Sequence, residues 1–175
     1  EVVDSVTGDV ENQTAAQKVF FSGQGDYKLE NPNYRLFLFS SYENDRFSNF
    51  DYQATFAGGW SQQVWKDEGS ELKYSIGPGY SFSETADGEV VNGVIMRSSA
   101  EYVWAISETA AFRQSVSSEL GDDNTKSKAE TSLTAQVNGS LAMKFSFVMN
   151  HNTQVANNKE NLDTIASVTL VYSFF

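Results

Sequence analysis

Six ionisable side chains, Lys73, Arg97, Glu101, Arg113, Glu130 and Lys144, fall on the polar register of segments that alternate polar and apolar residues. Four cations and two carboxylates on one face of adjoining strands could line a lumen as charged rings that select ions. They could equally pair with one another and fill a narrow interior as a salt-bridge network. The residues alone leave both open. Glu43, Asp45 and Arg46, close together in "YENDRF", would sit at the outer end of a strand. There they either constrict the mouth of such a lumen or fix the rim and its loop.

Other chemistries find little support. His151 is the single histidine, so a His-based triad would have to pass through it, and the chain has no GxSxG. With no cysteine there is no thiol catalysis, no thiolate-held metal and no disulfide. The carboxylates of "LGDDNTK" lack the glycine and the bidentate glutamate of a calcium loop, and read as a solvated outer loop. "GPGY" lies inside a strand pattern and not before a helix, so it is no phosphate loop. The chain is expected to be no enzyme, with no catalytic residue, no metal and no cofactor.

A net charge of -11 and a pI near 4.4 argue against nucleic acid as a partner, because phosphate contacts need clustered Lys and Arg. At 40% hydrophobic and 14% aromatic the 175 residues are too apolar to be disordered, and their abundant Phe and Tyr suit pleated surfaces. No run of about 18 apolar residues would cross a membrane as a helix.

The elements that must position the charges repeat with a period of two. In "ELKYSIGPGYSFS" the apolar register holds Leu72, Tyr74, Ile76, Pro78, Tyr80 and Phe82. In "SLAMKFSFVMN" it holds Leu141, Met143, Phe145, Phe147 and Met149, against Lys144 and Ser146. About nine such strands appear, close to the nine to eleven residues of a tilted membrane strand. "YRLFLFSSYE" is apolar on both registers, so its facing is not decided. Short turns ("ENPN", "KDEGS", "ISET", "NGS") alternate with longer polar stretches ("RFSNFD", "ETADGEVVN", "LGDDNTKSK", "HNTQVANNKENLD"), as periplasmic turns alternate with extracellular loops in outer-membrane barrels. Acidic outer stretches such as "SELGDD" and "ETADGE" would draw cations to the mouth of an open lumen.

A soluble sandwich shares the alternation, but it does not require aromatic residues at the strand ends of the apolar face. Tyr52, Trp60, Tyr74, Tyr80, Phe82, Tyr102 and Trp104 stand there, where belts at a membrane interface would place them. The fold expected is all-β, an antiparallel up-and-down transmembrane β-barrel occupying residues 1–175 as one domain. Bacterial barrels have even strand numbers, so "EVVDSVTGDVENQ" is expected to be an extracellular loop whose upstream strands are missing. The partners expected are the lipid bilayer of the bacterial outer membrane and the barrel-assembly machinery.

The last strand, "VTLVYSFF", resembles the C-terminal assembly signal of outer-membrane barrels, with Leu170, Tyr172 and Phe174 in register and Phe175 one residue beyond. More narrowly, "LFLFSSYENDRFSNFD", "IGPGYSF", "KAETSLTAQVNGSLAMKFSF" and "TIASVTLVYSF" resemble the YdiY-like family of bacterial salt-induced outer-membrane proteins, a domain of unknown function. Tyr42, Glu43, Asp45, Arg46, Phe47 and Asp51 are the sharpest part of the likeness. The resemblance implies a barrel of about twelve strands and no established activity. Two functions follow as expectations: a channel for small ions or solutes, or a structural envelope-stress protein with its lumen plugged by side chains.

Overall fold

The alternating segments form strands, each bonded to its sequence neighbours. The structure, a computed structural model, describes residues 2–3, 10–11, 18–31, 33–45, 50–85, 88–122, 124–153 and 161–172. A two-residue pairing of β1 (Val2–Val3) with β2 (Val10–Glu11) lies in the segment expected to be a loop. The remaining elements are β3 (Lys18–Lys28), β4 (Tyr34–Asp45), β5 (Phe50–Lys66), β6 (Ser70–Thr85), β7 (Val90–Ser107), β8 (Ala110–Gly121), β9 (Thr125–Gln136), β10 (Leu141–Asn152) and β11 (Leu162–Tyr172). They make one nine-stranded antiparallel meander, with β3 and β11 as its two edges. The sheet is all-β and up-and-down as expected, and it is not closed: among the described residues no ladder joins β3 to β11.

The sheet curls instead of lying flat. Side chains of strands that are far apart in the ladder meet over one face: Thr55 of β5 with Glu119 of β8, and Lys126 of β9 with Glu43 of β4. That face is the inner one. The bend is built where β5 and β6 carry almost no inner side chains, at Ala57, Gly59, Gly77 and Gly79. A side chain on Gly77 would lie 2.7 Å from Gly59 Cα, and one on Gly79 would lie 2.6 Å from the Phe56 carbonyl oxygen. The ladder passes from Ala57↔Gly79 to Trp60↔Ile76 across Pro78, which has no N–H to donate. Small residues on the concave side let two backbones approach closely and turn the sheet sharply.

The buried apolar residues among those described are Phe37, Phe39, Phe50, Ala57 and Ile95, and Phe37, Phe39 and Ala57 cluster together on the inner face. The chain exposes 11815 Å2, against about 8,500 Å2 expected of a compact monomer of 19.4 kDa. A two-layer sandwich would cover one face of each sheet with the other, and here no described residue covers the convex face. β4, ambiguous in sequence, is resolved by burial: Phe37 and Phe39 point inward at 4% and 8% exposure, while Leu36 and Leu38 point outward at 49% and 70%.

The connections depart from the expected alternation of short and long. At one end they span residues 29–33, 67–69, 108–109 and 137–140; at the other, 46–49, 86–89, 122–124 and 153–161. Apart from 153–161 the two sets have similar lengths. Residues 84–85, 90–92, 120–121 and 125–128 of the polar stretches that looked like loops are strand ends, because the inner register of this sheet is as polar as a loop.

Candidate functional site

The inner face carries the ionisable groups, and Arg97 is the most deeply held of them. Its position on β7 is opposite Gly77 on one side and Glu119 on the other. With no side chain at Gly77 or Gly79 to block it, the guanidinium reaches over β6 and β5 and lies 3.5 Å from the centre of the Phe39 ring. A desolvated cation over an aromatic face contributes roughly 0.5–2 kcal/mol. Arg97 Nη1 also donates to Glu119 Oε1 at 2.5 Å, and Thr55 donates from Oγ1 to Glu119 Oε2 at 3.1 Å. The two ionic side chains are only 9% and 13% exposed. Together they form a brace from β4 through β7 and β8 to β5.

A second brace lies toward the end that bears residues 46–49 and 122–124, called the loop end below. Lys126 Nζ of β9 donates to Glu43 Oε2 of β4 at 2.8 Å and to Gln53 Oε1 of β5 at 3.1 Å. Lys128, two residues along the same register, stands over the Phe20 ring of β3 at 5.1 Å. Beside the braces is a cavity of about 150 Å3 with mixed walls, which include Gln53, Thr55, Glu119 and Lys126 and also Phe50 and Ile95.

The expected lumenal charges all lie on the inner register, but they pair within the wall and form no ring. Lys73 stands opposite Glu101 yet binds Glu71 of its own strand at 2.7 Å. Glu101 accepts from Arg113 at 2.9 Å, and Glu130 from Lys144 at 3.0 Å. Arg97 is held by Glu119, a residue of the stretch expected to be an outer acidic loop. Glu43 joins the second brace, while the Asp45 side chain and Arg46 lie outside the described residues. Leu170 and Tyr172 occupy the outer register of β11; Phe174 and Phe175 lie outside the described residues. His151 stands at the loop end of β10, on the outer register between Ser127 and Leu162.

Glu119, Lys126, Gln53, Thr55 and Phe39 were not singled out in sequence. Continuing the polar register of β8 from Arg113 through Ser115 and Ser117 reaches Glu119, and running that of β9 back from Glu130 reaches Lys128 and Lys126.

The outer face is a different surface. Tyr34, Trp60, Trp65, Tyr74, Tyr102 and Trp104 lie toward one end, and Phe21, Tyr42, Tyr52, Tyr80 and Phe82 toward the other. Neighbours within each group touch: Tyr34 and Trp60 have ring centres 4.8 Å apart, and Phe21 and Tyr42 5.6 Å. Between Tyr34 and Tyr42, or Tyr74 and Phe82, the strand rises about 26 Å at roughly 3.3 Å per residue. Over that interval the outer register of β3 to β11 holds no Asp, Glu, Lys or Arg among the described residues; Glu84 lies beyond Phe82.

A family model described as a protein of unknown function, DUF481, matches residues 3–174. The chain belongs to the DUF481 family. It is also 22% identical, over 163 residues, to the uncharacterized protein YdiY of Escherichia coli strain K12. That match takes in 93% of this chain and 64% of the relative, so the chain spans about two thirds of the relative's length. No solved structure matches it. Membership fits the β-rich sheet and assigns no activity to it.

Proposed function

We propose that this DUF481 chain forms the wall of a bacterial outer-membrane β-barrel whose interior is blocked by its own side chains, and that it serves the envelope as a structural element. The observation that carries the membrane part is the outer face. Two aromatic belts about 26 Å apart along the strand enclose a band free of Asp, Glu, Lys and Arg among the described residues, on the scale of the roughly 25 Å apolar band of a transmembrane barrel. An open sheet with Leu38, Val94 and Val168 exposed at 70%, 69% and 62% would aggregate in water. Lipid removes that penalty.

The two braces favour a plugged interior. Lys126 and Glu43 are on strands five places apart in the sheet, so their 2.8 Å contact crosses the concave space directly. Arg97 over Phe39 crosses it again. The test is planar-bilayer conductance of the full-length protein. The expected result is silence from the wild type and steps after Phe39→Ala with Arg97→Ala. Steady steps from the wild type would support the second reading, a channel for small ions or solutes, which the cavity beside Glu119 and Lys126 favours. Delivery to the membrane through a C-terminal signal at Leu170, Tyr172, Phe174 and Phe175 predicts poor assembly when Phe174 and Phe175 are removed.

A further inference from the structure

The strands β5 to β9 enclose the cavity beside the braces by themselves. Their ladder forms its back and sides, and two contacts return from the far strands to β5: Glu119 of β8 accepts from Thr55, and Lys126 of β9 donates to Gln53. Between these side chains and the inner face of β6 and β7 is a space of about 150 Å3. It stays unfilled because β7 carries no side chain at Gly93, which stands opposite Ser81 of β6. Gly77, at the bend, is packed against backbone, whereas a Cβ on Gly93 would meet no described atom within 4 Å.

The walls are of two kinds. Phe50 and Ile95, 5% and 6% exposed, make an apolar side. The polar side offers hydrogen-bonding capacity that the described residues leave unused. Neither the Ser81 hydroxyl nor the Gln53 amide nitrogen has a partner among them, and each Glu119 oxygen accepts one bond from them where it can take two. The buried charges are already matched, Glu119 by Arg97 and Lys126 by Glu43. An ionic ligand would have to displace one of those partners, and a neutral one would not. Asp122 lies at the margin, exposed, where solvent screens it. An apolar cavity of about 150 Å3 takes a benzene ring. With one apolar wall and one hydrogen-bonding wall, the matching ligand is a six-membered ring with a C–H face and a rim of hydroxyls.

We propose that the cavity binds a neutral monosaccharide in its pyranose form, with its C–H face toward Phe50 and Ile95 and its hydroxyls toward Gln53, Ser81 and Glu119. This goes beyond the structural role above and does not rest on the membrane reading, because β5 to β9 alone enclose the site. For a ligand of about a dozen non-hydrogen atoms, ordinary ligand efficiency puts Kd on the order of 1 mM.

The test is calorimetric titration of the full-length protein, folded in detergent, with glucose, galactose and mannose, and with benzene and inorganic phosphate as apolar and ionic probes. The expected result is saturable binding of at least one sugar that Gly93→Leu abolishes, since the new side chain occupies the cavity. Ser81→Ala leaves the cavity open and should weaken the same binding by about 3- to 10-fold, the loss of one hydrogen bond. No saturable binding of any of the three sugars overturns the proposal. So does sugar binding that persists in folded Gly93→Leu, which places the ligand elsewhere. Benzene or phosphate binding that Gly93→Leu removes, without sugar binding, shows an apolar or ionic site and is equally fatal. Should Gly93→Leu fail to fold, Ser81→Ala decides, and an unchanged affinity overturns the proposal. Failure of the membrane reading is seen separately, as a folded protein that needs no detergent.

Discussion

Placing a charge in the middle of the outer face separates lipid from water as its surroundings. Leu38 is the site of choice: it is 70% exposed and lies midway between Tyr34 and Tyr42 on β4. Four residues at about 3.3 Å each put it roughly 13 Å along the strand from either belt, near the bilayer midplane. Leu38→Arg there costs about 2–4 kcal/mol, a roughly 30- to 900-fold loss in the folding equilibrium constant. The same change at Tyr42, at the belt, costs about 0–1 kcal/mol from charge. In water both sites are surface positions, where substitutions stay within about 0.5 kcal/mol. The assay is urea unfolding of the full-length protein from lipid vesicles, followed by tryptophan fluorescence. A Leu38→Arg variant as stable as wild type, or no difference between the two depths, refutes the argument.

Further consequences concern the interior. Arg97→Ala strands the Glu119 carboxylate and should cost about 3–5 kcal/mol in the same unfolding assay, whereas Arg97→Met with Glu119→Leu should recover much of that loss. Arg113→Ala breaks a pair whose side chains are 54% and 37% exposed and should cost less than about 1 kcal/mol. Gly77→Val pushes a side chain into the Gly59 backbone, so the bend should fail; it is read as loss of the compact, heat-modifiable band on a gel. His151→Ala should leave stability and assembly unchanged, and a hydrolytic activity lost on that change would support an enzyme.

The strand count and facing were legible because the two faces of the sheet carry opposite chemistry on alternate residues. Nine segments from Val19 onward could be read, and the apolar registers of β6, β7, β10 and β11 are those on the convex face. β4 was undecidable because its inner register holds Phe37 and Phe39 where other strands hold hydroxyls or charges. That exception reflects the bend: opposite Ala57, Gly77 and Gly79, only bulky rings can fill the concave space. The ion pairs were less legible. Lys73 and Glu101 are cross-strand neighbours, yet Lys73 turns to Glu71, a choice of rotamer that no sequence pattern records. Contacts such as Lys126 with Glu43 depend on how tightly the sheet curls, and that follows from a few small residues on β5 and β6. The strand ends failed for a simpler reason: "SELGDD" and "TKSK" are polar enough to pass for loop, although Glu119 in the first and Lys126 and Lys128 in the second stand on the inner register of a strand.

The outer face facing lipid is the claim on which the rest stands, and the chain carries its own probe. Its three tryptophans, Trp60, Trp65 and Trp104, all lie on the outer register toward one end and are 38%, 39% and 47% exposed. Quenching of their fluorescence should therefore be measured in vesicles of brominated lipids, with the bromine at graded depths along the acyl chain. The account predicts strong quenching that is greatest for shallow bromines, at the level of the belt, and weak quenching by aqueous iodide. Quenching by iodide without quenching by any brominated lipid would place these residues in water and contradict it.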